Sequence, residues 1–321
     1  MRPLHRFLAA ISAVPVLAGA LAACSSSGTA AGSPSTATGS AAASAAQFPL
    51  TLTASNGKVT LSARPTRIVS LSPTATEDLF AVGAGSQVVA VDKDSDYPSD
   101  VPKSSLDSLT PNAEAILKYQ PDLVVASEDS NGLVAAMTKV GVPVLIEPAA
   151  STLQDAYDQI SQLGAATGHA TTAASTVASM KSEIATSVKQ AGSQHADLTY
   201  YWELDPTYYS ATSSTFIGQI VGLFGLKDIA DKAAKASDGG YPQLSDEYIV
   251  QSSPDVVFLA DTVCCGASAT SVAARAGWSS ITAVKVDDVV GLNDDVASRW
   301  GPRLPQLVAE IAAAVEKAPT K

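Results

Sequence analysis

The chain has 321 residues, 46% of them hydrophobic, which is enough for one large core or for two domains. Its 31 acidic and 20 basic residues give a formal net charge of -11. That balance argues against nucleic acid, whose phosphates need basic patches, and the later apolar runs are too short for a spanning helix.

At the N-terminus, Arg2, His5 and Arg6 precede an apolar, small-residue run over 7–23. This reads as an export signal and not as part of the fold. The run ends "LAAC", with Cys24 last. Small residues before a cysteine resemble a bacterial lipobox. The resemblance implies cleavage of 1–23 and a diacylglycerol on Cys24; a free thiol is the alternative. Residues 24–47 are almost wholly Ser, Ala, Gly and Thr. Such a segment cannot offset the entropy of ordering itself, so it is expected to be a flexible tether. Lipid and tether together would hold a soluble body on the extracytoplasmic face of a cell membrane.

The body starts at Phe48. "TLTA" and "KVTLSA" flank Asn56-Gly57, a hairpin signal. "RIVSL" (67–71) reads as a buried strand. Thr74 and Glu77 then have capping-box spacing, and the helix runs to a stop at Gly83. Strands follow at 87–91, 123–126 and 142–147, with helices at 112–119 and 132–141. Continuous apolar strands alternating with helices indicate a mostly parallel sheet covered on both faces. Residues 152–195 carry no strand signal. They read as a helical link, interrupted near Gly164 and Gly168 and long enough to act as a stiff spacer. From 196 to 321 the first pattern returns: strands at 198–204 and 255–260, a turn and strand in 277–292, helices at 214–225 and just before Pro254, and a closing helix carrying Glu310 and Glu316.

One unit occurs twice. "EAILKYQPDLVVA" begins at Glu114 and "EYIVQSSPDVVFLA" begins at Glu247. Each is a short helix ended by Pro, which lacks an N–H and restricts its predecessor. An Asp that can cap the turn follows, and then an apolar strand. Matched offsets either side of a helical link suggest two similar lobes, 48–151 and 196–321. Two lobes leave a cleft, and clefts between domains hold ligands. The expected fold is α/β, two Rossmann-like lobes joined by one long rigid helix.

"RIVSLSPTATEDLFAVGAGSQVVAVDKDSDYP", "NAEAILKYQPDLVVA", "YPQLSDEYIVQSSPDVVFLAD" and "ASRWGPRLPQLV" resemble the substrate-binding proteins of ABC importers for cobalamin, ferric siderophores and haem. The likeness spans roughly 65–315 and leans to the cobalamin-binding branch through "SLSP", "TE" and "SDYP". It implies a metal chelate, a ferric siderophore or corrinoid, gripped between lobes and delivered to a membrane permease. Residue by residue, Tyr97 and Tyr209 match aromatic ligand contacts, and Tyr241 replaces a tryptophan. Asp295 and Arg299 match a cleft-lining acid and arginine. A first-lobe tryptophan has no counterpart in "LDSLTPNAE". Glu77 matches one of two surface glutamates that meet permease arginines. The second falls at Gly222, which carries no charge, so either Asp228 substitutes or docking is lopsided.

Other readings stay open beside these. Tyr97 and Tyr209 are ligand contacts or partly buried against their lobes. Trp202 faces the cleft or sits in the core. Arg299 pairs with Asp295, faces a ligand, or does both, and Arg303 reads as structural. Acids near the proposed rim (Asp92, Asp94, Asp96, Glu203, Asp205, Asp294 and Asp295) either favour cationic or neutral chelates or only solvate the surface. Cys264 and Cys265 are neighbours outside the cytoplasm, where thiols oxidise. They form a vicinal disulfide, stay free, or pair between molecules.

Enzyme readings do poorly. His169 and His195 stand beside no nucleophile motif, and no G-x-S-x-G, Walker or dinucleotide glycine motif is present. No cofactor is expected, and no metal held by protein side chains beyond an axial Tyr or His on a bound chelate. The expected molecule is a monomeric, lipid-anchored binding protein. A haem binder on the same scaffold, a chelate-processing enzyme and a cell-surface adhesion module are its rivals.

Overall fold

The computed structural model describes residues 47–318, so Cys24 and its proposed lipid lie outside the described residues. It has two α/β lobes, each with a parallel sheet, connected by long helices. The first lobe runs β1 (Leu50–Ala54), β2 (Gly57–Leu61), β3 (Ile68–Leu71), α1 (Pro73–Ala81), β4 (Val88–Val91), α2 (Ala113–Leu117), β5 (Leu123–Ala126), α3 (Leu133–Lys139) and β6 (Val144–Ile146). The link is α4 (Leu153–Thr167) and α5 (Ala170–Ala191). The second lobe runs β7 (Thr199–Glu203), α6 (Phe216–Gly222), β8 (Lys227–Asp228), α7 (Asp246–Ser252), β9 (Val256–Leu259), α8 (Thr262–Cys265), α9 (Ala269–Ala273), α10 (Thr282–Lys285), β10 (Val289–Gly291), α11 (Asp294–Ser298) and α12 (Leu304–Lys317).

The two sheets repeat one plan. Their strand orders are β4-β3-β5-β6 and β8-β7-β9-β10, all parallel. In each, the first of the sheet's four strands in chain order lies between the second and third. The chain therefore winds outward in opposite directions from that strand. Such a reversal leaves a crevice at the carboxyl ends of the two central strands, where α/β sheets bind ligands. The Pro-Asp echo has a structural role in this plan. Asp122 accepts from the backbone N–H and hydroxyl of Thr66 at 2.8 and 2.9 Å. Asp255 accepts from the same groups of Thr199 at 2.7 and 2.8 Å. The aspartate thus clamps the start of the neighbouring strand in both lobes, which is more than capping its own turn.

The link is two helices, interrupted in the stretch where Gly164 and Gly168 break the helical pattern of the sequence. The first ends at Gly168, which takes the left-handed conformation at φ 77°. Gly164 lets the helices touch: a Cβ there would lie 2.3 Å from that of Ala173. The 22 residues of α5 extend for roughly 33 Å at 1.5 Å per residue. The buried face of α12, including Leu307, Val308 and Ile311, belongs to the same hydrophobic core as Met180 and Ile184 of α5.

The hairpin β1–β2 pairs antiparallel as expected. At its turn, Asn56 donates to the Val144 carbonyl at 3.0 Å and accepts from Ile146 N–H at 3.2 Å. It so covers the free edge of β6, which a bare sheet would leave open to pairing. The capping box read at Thr74 and Glu77 is corrected. Ser72 caps α1, accepting from Ala75 N–H at 3.3 Å, with Pro73 in the first turn. Among the described residues no helix is long and apolar enough to cross a membrane.

Candidate functional site

Tyr97 follows β4, and Tyr209 follows β7, so both leave their sheets at carboxyl ends. Tyr209 pairs with Gln243 in an isolated antiparallel bridge, which brings it near Tyr241. Tyr97, Tyr209 and Tyr241 are 46%, 40% and 43% exposed, although large apolar side chains are mostly buried in this chain. Leu109, after β4, joins them on the surface; its exposure carried no signal in sequence. Trp202 is corrected to the core. It is fully buried in β7 against Phe258, ring centroids 5.5 Å apart, and presents no area to a ligand.

The lobes meet at Arg299. Its Nη1 donates to Glu77 Oε1 and to Asp96 Oδ1, both at 2.9 Å. Its Nη2 donates to Asp295 Oδ1 at 2.6 Å and to the Asp94 carbonyl at 3.2 Å. Arg303 grips the other side of Glu77, Nε to Oε2 at 2.8 Å and Nη2 to Oε1 at 2.5 Å, and its guanidinium lies 4.4 Å from the centre of the Tyr97 ring. One carboxylate of the first lobe thus holds two arginines of the second. All four terminal N–H groups of Arg299 are used, so the expected pair with Asp295 is one arm of a larger network.

Glu77 was expected on an outer surface. It is 1% exposed at the lobe junction, and the expectation is corrected: a carboxylate enclosed by two guanidinium groups is not presented to another protein. Asp228 is likewise taken, accepting from the Tyr200 hydroxyl at 2.6 Å and from Ala230 N–H at 2.8 Å. Gly222 ends α6 facing open space.

The rim acids contribute less free charge than their number suggests. Asp92 is buried, with burial raising its carboxyl above the ordinary range against hydrogen bonds that lower it. Glu203 is fully buried and forms a two-pronged pair with Arg275, both contacts at 2.6 Å. Burial pushes Asp96 up, but the hydrogen bond and charge of Arg299 win and hold it low. For Asp295 burial wins, and its carboxyl sits above the ordinary range. Asp294 accepts backbone N–H groups of α8, and Asp205 accepts from Thr207. The cleft is therefore less negative than a count of acids implies.

Two further carboxyls lie near the junction. Glu147, just past β6, is pushed up to about 8 by burial. Asp78 is raised by burial and by the charges of Glu77 and Glu147, and its Oδ1 faces Gly301 of the second lobe. Asp78 Oδ1 and Glu147 Oε1 have no hydrogen-bond partner among the described residues.

Depressions flank the 299–303 segment. One of about 380 Å³ is lined by Glu77, Phe80, Tyr97, Asp100 and Arg303. Tyr241 lines one of about 340 Å³ with Ala150, Thr152, Phe216 and Gln219, and a smaller one with Arg299 and Trp300. All three draw residues from both lobes. Cys264 and Cys265 are joined as neighbours in a disulfide. No group of three or more His, Cys, Asp or Glu able to hold a metal ion occurs among the described residues.

Residues 68–296 match the family model described as periplasmic binding protein. The uncharacterized ABC transporter substrate-binding lipoprotein YvrC of Bacillus subtilis is 34% identical over 278 residues, 84% of this chain and 86% of that protein. A cobalamin-binding protein of Halobacterium salinarum is 31% identical over 280 residues, 84% of this chain and 75% of that one. Among solved structures, a possible iron-binding, periplasmic solute-binding protein of Staphylococcus epidermidis superposes with a TM-score of 0.66 at 27% identity, covering 78% of this chain and 98% of that one.

Proposed function

Since this chain belongs to the periplasmic binding protein family, an extracytoplasmic group that binds solutes without catalysing their conversion, we propose that it captures a metal chelate between its lobes and delivers it to an ABC importer. The chelate is a ferric siderophore or cobalamin. One observation carries this reading. Exposed tyrosines stand at the carboxyl ends of both sheets, beside a junction built from both lobes. Aromatic faces with few polar groups suit a bulky, largely neutral complex. The modest free charge of the rim agrees with a neutral cargo. Cys24 would carry the lipid that keeps the protein beside its permease.

Docking is reassigned within this proposal. Glu114 and Glu247 occupy matching places in the repeated unit, in the first turns of α2 and α7, and both are exposed. A helix linking parallel strands runs antiparallel to them, so both N-terminal turns lie at the cleft edge of their sheets. One carboxylate per lobe at that edge suits a pair of basic patches on a permease. Such rim charges mainly set encounter and register.

Tryptophan fluorescence tests the binding. Trp300 is half-buried and lines the depression beside Tyr241 and Arg299. Titration with cobalamin or with a ferric trihydroxamate is expected to change its emission saturably. No saturable change with these, nor with catecholate, citrate or haem complexes, would remove the proposed ligand class.

A further inference from the structure

The second lobe carries an apolar turn at its crevice that the tyrosine assignments leave out. β9 is one of the two central strands of its sheet, and the chain leaves it through Asp261 directly into α8. Val263 is 69% exposed, the same as Leu109 and more than any other large apolar side chain described. Cys264 and Cys265 beside it are exposed and closed into a disulfide ring. A disulfide has neither N–H nor O–H, so the side chains of Val263, Cys264 and Cys265 present hydrocarbon and sulfur.

The turn is exposed but firmly held. Asp294, in the first turn of α11, accepts from Val263 N–H at 3.0 Å and from Cys264 N–H at 2.7 Å. The Thr262 hydroxyl donates to the Leu292 carbonyl at 2.6 Å. The Asp261 carbonyl accepts from Cys265 and Ala267 N–H, each at 3.3 Å. Ordering an apolar surface before anything covers it removes that entropy cost from a later binding step. The turn follows the carboxyl end of a central strand, the edge at which α/β sheets bind ligands. The same α11 ends at Arg299, so the turn is tied to the junction where the lobes meet.

We propose that Val263 and the Cys264–Cys265 disulfide form a preordered apolar platform against which the methyl- and methylene-rich edge of the bound chelate packs. This inference rests on the chelate-binding function proposed above. It adds a second-lobe contact that selects for hydrocarbon at the ligand's periphery.

The test uses the full chain with cobalamin and a ferric trihydroxamate as probes. Val263→Asp is expected to weaken whichever probe binds by about tenfold, the loss of one buried valine contact. A saturating probe is expected to slow reduction of the disulfide by a water-soluble phosphine, also by about tenfold if the ring is covered. Cys264→Ser/Cys265→Ser is expected to weaken binding as well. Saturable binding with unchanged affinity in Val263→Asp and unslowed reduction would overturn the platform and leave the chelate function standing. No saturation with either probe, or with the other chelates above, would overturn both.

Discussion

Arg299 and Glu77 are 222 residues apart in sequence and share a hydrogen bond of 2.9 Å across the lobe junction. Glu77 has no exposed side-chain area, and Arg299 and Arg303 are nearly as enclosed. A buried ion pair is weak evidence of net stabilisation, because desolvation opposes the attraction. Removing one partner is a different matter, since it strands the other charge.

Glu77→Ala would leave two guanidinium groups without their shared carboxylate. The expected loss is about 3–5 kcal/mol in urea unfolding at neutral pH. A loss below about 1 kcal/mol would mean that the lobes are held together by other contacts.

Tyr209→Ala and Tyr241→Ala are each expected to weaken chelate binding by about tenfold, with the melting temperature nearly unchanged. Both side chains are well exposed, so little core packing is lost. Isothermal titration separates the effects. Unchanged affinity in both variants would move the binding surface elsewhere.

Glu114→Lys and Glu247→Lys should leave ligand affinity intact and impair delivery. The expected readout is a fall of severalfold in ligand-stimulated ATP hydrolysis by the reconstituted importer, larger at low ionic strength. Full stimulation by the double variant would sink the docking assignment.

Stability should fall as pH rises from about 5 to 8. Burial raises Glu147 from an ordinary 4.5 to about 8. Between those values the folded protein keeps a proton that the unfolded chain has lost, so alkali favours unfolding until the folded carboxyl ionises too. Asp78 shifts in the same direction. Glu147→Gln should flatten this slope and stabilise the protein at pH 8 by an amount on the order of 1–3 kcal/mol. Denaturant midpoints at pH 5 and pH 8 give the comparison, and parallel slopes in wild type and variant would exclude Glu147 as the cause.

The scaffold was legible because buried parallel strands are written as unbroken apolar runs. Leu123–Ala126 was read residue for residue, and Val256–Leu259 to within one residue at each end. The short elements β8, α8, α9 and α11 were missed, since two to five residues carry too little periodicity. The junction was harder to read for another reason. Glu77 stands three residues after Thr74, and that spacing offered a local explanation. Nothing near it announces partners 222 and 226 residues away. Trp202 was ambiguous because a strand end can face core or crevice, and only the packing of Phe258 against it decides. The Glu114 and Glu247 echo is visible in sequence, but the exposure of both side chains is not.

The twin aspartate clamps imply an order of assembly. Asp122 reaches back 56 residues to Thr66, and Asp255 reaches back the same distance to Thr199. Each of these loops closes inside one half of the polypeptide, so either half can gather its own strands without waiting for the other. The Arg299 contact must close a loop several times longer, and such closures carry a greater entropic penalty. Folding should therefore run as two independent condensations followed by a late seal, with the halves already formed when the seal engages.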